Sequence, residues 1–324
     1  MIASKLKHHR QPGLVLTCAL VLILATNVVF AGTPFSRLYV FGDSLSDTGR
    51  FYADTGVPPA PYYSGRHCNG PLWIEQFATR LGMELHQENS YAYAGAGSGR
   101  DNENDNDFAQ PQNFPGLLDQ VDEFLADTVM TGVDADALYV VWAGANDFVI
   151  MAETGGNPAP TIANGVSNCG RAVQTLAQAG AKHLLVVNVP DIGLTPLAIM
   201  TGNSAGFSYL VSIYNQNLDL ALDQLKLVGV LTIRLKSDLV LQAIATHGDD
   251  YGFTNVTEPL LLVGGNADQF LFFDALHPTT GAHTVLAESA VASLLDFYSP
   301  RKSGMENAGV VNALNGLVHV SAHP

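Results

Sequence analysis

Apolar positions along the chain follow two alternating rhythms. Short unbroken runs recur at 38–42 (LYVFG), 90–94, 138–143 (LYVVWA), 183–189 (HLLVVNV) and about 230–235. Between them, apolar residues return at three- and four-residue spacing over 71–82, 115–127, 161–179, 207–228, 237–246 and 280–297, which is the helix period. The stretch 207–228 carries it clearly, with Phe207, Leu210, Tyr214, Leu218, Ala221, Leu225 and Val228 on one face. A strand that is apolar throughout is buried on both faces, as in a parallel sheet covered by helices. The pattern therefore predicts one α/β domain over 32–300 with a five-stranded, mostly parallel sheet, and functional groups gathered at the carboxyl ends of its strands. Residues 301–324 lack periodicity and read as a C-terminal tail.

The first 31 residues stand apart. Lys5, Lys7 and Arg10 precede an apolar run from Leu14 to Phe30, and Val29-Phe30-Ala31 supplies a cleavage context. This is the pattern of a secretory signal peptide; a retained anchor is the alternative, since the run is almost long enough to span a bilayer. The expected product is secreted or periplasmic, with no stable membrane anchor after signal removal. Losing those three positive charges takes the formal net charge from −15 to −18. So acidic a chain repels nucleic acid and anionic headgroups, which excludes both as expected partners. Two cysteines follow the signal, Cys68 and Cys169. Export invites a disulfide, but Cys169 also falls on the apolar stripe Ile162, Val166, Val173, Leu176, where a buried thiol fits equally.

Chemistry gathers where strands end. The first run stops at Gly42-Asp43-Ser44, the second at Ala94-Gly95-Ala96-Gly97 and the third at Gly144-Ala145-Asn146-Asp147, while Asp274-Ala-Leu-His277-Pro278 precedes the last helix. Each group is ordinary turn composition. Together they supply what acyl transfer to water needs: a hydroxyl nucleophile in Ser44, a base in His277, and Asp274 three residues earlier to fix the imidazole. An oxyanion requires converging donors, for which the N–H of Gly95, the Asn146 amide and the N–H of Ser44, at a helix start, are available. Asp47 is expected to cap that helix.

These blocks resemble those of the GDSL (SGNH) hydrolases. "FGDSLSDTG" is similar to the signature block, "YAYAGAG" (91–97) to the second, "GANDF" (144–148) to the G-x-N-D block and "DALHPT" (274–279) to the D-x-x-H-P-T block; 65–78 and 172–196 also look familial. The departures are Ser90 where the family has Asn, Ala94 where it has Gly, and Cys68 where it has Ser. The resemblance implies a flavodoxin-like three-layer α/β/α sandwich and ester hydrolysis through an acyl-serine. By it, Ser44, Asp274 and His277 are catalytic, Ser44, Gly95 and Asn146 form the oxyanion hole, and no cofactor or metal is needed. The implied partner is a small-molecule or lipid ester.

Competing features carry less. "GNSAG" (202–206) fits a nucleophile elbow around Ser204, but no clear strand precedes it and no HGGG-type motif occurs; Ser204 is expected in a turn capping the following helix. His283 would fall inside the last helix as a surface or packing residue. "DNENDND" (101–107) lacks the Gly and Glu of a calcium loop and reads as a solvated loop. Stretches 52–70, 98–114 and 149–161, with Tyr62, Tyr63, Phe108 and Phe114, are expected to shape an apolar acyl site. The rival functions are a phospholipid-dependent acyltransferase using the same site, and an inactive binding module on this scaffold.

Overall fold

The computed structural model describes residues 34–298; the expected signal peptide and tail lie outside them. Four strands, β1 (Leu38–Gly42), β2 (Leu138–Trp142), β3 (His183–Val187) and β4 (Thr232–Leu235), form one sheet in the order β1-β2-β3-β4. Every pairing is parallel, and Gly42 lies opposite Trp142, so the carboxyl ends share one edge.

The helices are α1 (Arg50–Thr55), α2 (Trp73–Arg80), α3 (Leu117–Asp127), α4 (Ala145–Thr154), α5 (Pro158–Ala179), α6 (Pro196–Met200), α7 (Ser204–Leu227), α8 (Ser237–Thr246), α9 (Leu260–Val263) and α10 (Thr280–Tyr298). Strand alternation divides them into two layers. Tyr39, Phe41, Tyr139, Val141, Leu184 and Val186 pack against α3, α5 and α7 on one face. Leu38, Val40, Leu138, Val140, Leu185 and Val187 pack against α2 and α10 on the other. The result is the expected flavodoxin-like sandwich.

The fifth expected strand is incomplete. Tyr91 and Ala92 N–H both donate to Val40 O (2.8 and 3.1 Å) and Tyr93 N–H to Gly42 O (3.0 Å), with a single bridge from Val40 to Ser90. The segment runs along the free edge of β1, but the Ala94 N–H turns away to the Asp47 carboxylate at 2.9 Å, which ends the ladder. A pair the hydropathy pattern does not reveal, β5 (Asn255–Pro259) and β6 (Phe270–Phe272), forms a separate two-stranded sheet. β6 has three residues and β5 carries Glu258 and Pro259, so neither presents a recognisable strand period.

The cysteines do not pair. Both are buried and free, Cys68 in the core on one side of the sheet and Cys169 on the other. Cys169 Sγ lies 3.2 Å from the Tyr214 hydroxyl, and burial pushes both thiols up to about 12. No helix among the described residues is long and apolar enough to cross a membrane.

Candidate active site

The turn that carries Ser44 is pinned at both ends. A Cβ on Gly42 would stand 2.3 Å from Trp142 O, so only glycine lets β1 and β2 approach here. The buried Gln120 amide then takes both Gly42 peptide groups, each at 2.8 Å. Beyond it, Asp43 O accepts from Ser46 and Asp47 N–H (both 2.9 Å) and Asp43 Oδ1 from Leu45 N–H (3.0 Å), a reversal that projects Ser44 from the sheet edge. No helix begins at Ser44, contrary to the sequence expectation, because this turn closes on itself. Asp47 serves α1 instead, accepting from Gly49, Arg50 and Phe51 N–H at 2.8, 2.6 and 3.0 Å.

Asp274 and His277 arrive on a loop built by β6. Phe273 N–H donates to His277 O (2.8 Å) and Thr279 N–H to Leu271 O (2.9 Å), folding 273–279 into a tight hairpin. Within it Asp274 Oδ1 accepts from Leu276 and His277 N–H at 2.8 and 2.6 Å. Asp274 Oδ2 lies 2.8 Å from His277 Nδ1, and His277 Nε2 lies 2.9 Å from Ser44 Oγ. Burial works to raise the Asp274 carboxyl, but the His277 charge and hydrogen bond and the two N–H donors outweigh it, holding it well below the usual range. For His277, burial favours the neutral ring; the Asp274 charge and hydrogen bond, with Glu103 and Asp43 behind them, win and place it above an ordinary imidazole. An ionised Asp274 takes the Nδ1–H, which leaves Nε2 to accept the Ser44 proton.

The other two blocks meet this turn through their neighbours. Gly95 has φ +79, and a Cβ there would lie 2.4 Å from Asn102 Oδ1 and 2.1 Å from Asn104 Nδ2. Ala94 on one side is tied to Asp47, and Ala96 O on the other accepts from Asn146 Nδ2 at 3.1 Å. Among the described residues, neither Ser44 N–H nor Gly95 N–H has a protein acceptor, and Asn146 uses one amide hydrogen. Asn146 sits on the first turn of α4, where the sequence predicts a turn over 144–147 and a pocket-shaping stretch from 149. Its side chain is buried beside Ser44 and His277 in the wall of one cavity.

Several features escape the sequence reading. The Tyr62 hydroxyl donates to Asp274 Oδ2 at 2.9 Å, and the half-buried His67 ring lies 4.9 Å from that of His277; only the folding of 57–70 over the loop brings them there. The cavity beside Ser44 is lined by Pro190, Ile192, Val240, Ile244, Phe272 and Leu286 among others. The expected loops contribute only Val149. Phe108 and Phe114 instead pack on Phe51 in a satellite core, because 98–114 folds back over α1. His283 is fully buried and lines the cavity. Ser204 opens α7 after a turn, with no strand before it. Residues 103–106 form a short 3₁₀ turn that Asn102 caps, and among the described residues no cluster of His, Cys, Asp and Glu could hold a metal ion.

A sheet edge presenting a Ser–His–Asp relay, with the unengaged Ser44 N–H and Asn146 amide hydrogen beside the hydroxyl, defines a serine-hydrolase type of site. The GDSL-like Lipase/Acylhydrolase family matches residues 38–290, and the chain belongs to that family. It is thereby an enzyme of carboxylic esters, a hydrolase or acyltransferase. The chain is 26% identical to a phosphatidylcholine-sterol acyltransferase of Aeromonas hydrophila, over 87% of this chain and 97% of the relative. It is 23% identical to a thermolabile hemolysin of Vibrio parahaemolyticus over 80% of this chain, a match spanning 63% of the hemolysin's length. Among solved structures it is similar to a carbohydrate acetylesterase from Sinorhizobium meliloti at 16% identity, covering 81% of this chain and 99% of that one with a TM-score of 0.48.

Proposed function

We propose that this protein is an exported serine esterase or lipase, secreted or periplasmic, that cleaves carboxylic esters through an acyl-Ser44 intermediate. The observation that carries the reading is the continuous relay Ser44 Oγ–His277–Asp274 at 2.9 and 2.8 Å. Ser44 Oγ attacks the ester carbonyl as His277 Nε2 takes its proton. The tetrahedral oxyanion collapses with loss of the alcohol, which receives that proton from His277. Water, deprotonated by the same nitrogen, then attacks the acyl-serine, and the acid departs as Ser44 regains its proton. Ser44 N–H, Gly95 N–H and the free Asn146 amide hydrogen receive the oxyanion. The apolar wall beside Ser44 suits an acyl chain, which an aqueous groove would not retain.

Removal of one such donor costs about 10²–10³ in kcat, or about 2.7–4 kcal/mol. Asn146→Ala should lose that much on a p-nitrophenyl ester series from acetate to palmitate, with an unchanged far-UV spectrum. Wild-type rates in that variant would remove Asn146 from the site. Acyl transfer to an alcohol is the second reading, favoured by the similarity to an acyltransferase along nearly its whole length. The same site performs it if an alcohol replaces water at the acyl-serine. Product analysis with a competing alcohol separates the two.

A further inference from the structure

The segment from Tyr62 to Pro71 is tied to both ends of the hairpin that carries Asp274 and His277. Just beyond the hairpin, Asn69 Oδ1 accepts from Thr280 N–H at 2.8 Å and Pro71 O from the Thr280 hydroxyl at 2.7 Å. At its start, the Tyr62 ring packs edge-on to that of Phe273, with centroids 5.1 Å apart at 85°. Tyr63 N–H reaches Cys68 O at 2.8 Å and closes the segment on itself. The His67 ring neighbours those of Tyr62 and His277, with centroids 5.9 and 4.9 Å away. Contacts of this kind fix the Tyr62 ring, and its hydroxyl donates to Asp274 Oδ2 at 2.9 Å.

The carboxylate needs that contact at one oxygen in particular. Oδ1 is held by two backbone N–H groups of its own hairpin, whereas Oδ2 meets the His277 Nδ1–H and the Tyr62 hydroxyl. Among the described residues, Tyr62 is the partner of this carboxylate that comes from outside 273–279. The imidazole gains and loses charge in each half-reaction, so it is a poor anchor for the group that must orient it. The Asp274 side chain is 16% exposed; without the phenol, water would take its place, and water can turn where a packed ring cannot. Burial, then the charge and hydrogen bond of Asp274, push the Tyr62 hydroxyl above an ordinary phenol. It therefore stays protonated and keeps donating to the carboxylate throughout the cycle.

We propose that Tyr62 is a positioning residue of the relay, whose hydroxyl holds Asp274 Oδ2 on the His277 Nδ1–H while the imidazole charges and discharges. The proposal rests on the reading of Ser44 as the nucleophile and His277 as its base. Tyr62 does not line the cavity beside Ser44, so its effect falls on kcat and leaves substrate binding unchanged.

The test measures kcat and KM on p-nitrophenyl butyrate for wild type, Tyr62→Phe, Asp274→Ala and the double variant. Tyr62→Phe keeps the ring on Phe273 and should lower kcat roughly 10–100-fold, the value of one hydrogen bond to a charged group, with KM within about twofold. Tyr62 acts through the carboxylate, so adding Tyr62→Phe to Asp274→Ala should change kcat by less than about twofold, a coupling that a merely structural residue would not show. The proposal is overturned by a Tyr62→Phe kcat within about twofold of wild type, by a loss carried in KM, or by a loss that persists in the Asp274→Ala background. A Tyr62→Phe variant that does not fold makes the hydroxyl structural and overturns it equally. Cleavage that persists in Ser44→Ala would instead strike the nucleophile assignment, whatever Tyr62→Phe does, so the two failures are distinguishable.

Discussion

Ser44→Ala is expected to lower kcat on p-nitrophenyl esters by roughly 10⁴–10⁶-fold while leaving the fold intact. Among the described residues Ser44 Oγ has one partner, His277 Nε2, and the turn around it is held by Gly42, Asp43 and Asp47 through groups the substitution does not touch. Stability should therefore move by about 1 kcal/mol or less. The residual rate would come from the oxyanion donors acting on direct attack by water. A variant retaining a tenth of the wild-type rate would show that the hydroxyl does not attack.

Asp274→Asn should be nearly as damaging, lowering kcat by roughly 10³–10⁴-fold. Both carboxylate oxygens accept two hydrogen bonds each: Oδ1 from two backbone N–H groups, Oδ2 from His277 Nδ1–H and the Tyr62 hydroxyl. An amide NH₂ placed at either oxygen faces two donors. Turned toward His277, it forces the tautomer in which Nε2 carries the proton and cannot accept from Ser44. The pH profile gives a second readout. His277 titrates above the ordinary value of about 6.5 because Asp274 outweighs burial, so wild-type kcat/KM should rise as pH rises through a midpoint above 6.5. Asp43, pushed to about 7 by burial, faces the same ring, and the limb belongs to the coupled groups. Without the Asp274 charge, burial dominates His277 and the limb should shift to lower pH. A limb that stays in place with full activity would contradict the pairing.

The sheet and its two helical layers were legible because strands apolar on both faces announce a covered parallel sheet, and four of the five expected strands lie where the runs predicted. The four site blocks were legible for a related reason: each follows a strand or precedes a helix, so their placement on one edge follows from topology. What the sequence hid depends on distant pieces meeting. Tyr62 reaches a carboxylate 212 positions away, and nothing local to PPAPYY marks it as that partner. The cavity beside Ser44 draws its wall from Pro190, Ile192 and α8 rather than from the aromatic loops, because Phe108 and Phe114 satisfy their apolar surface against Phe51. The two cysteines read as a possible pair until the sheet is seen to lie between them. At Ala94 a side-chain carboxylate competes successfully for a ladder N–H, which no hydropathy pattern records.

The most direct measurement is covalent: treat the folded protein with a fluorophosphonate, then locate the adduct by peptide mass mapping. The account predicts one adduct, on Ser44, slowed by an ester substrate and absent from Ser44→Ala. An adduct on Ser204, or no labelling of a preparation that turns over esters, would contradict it.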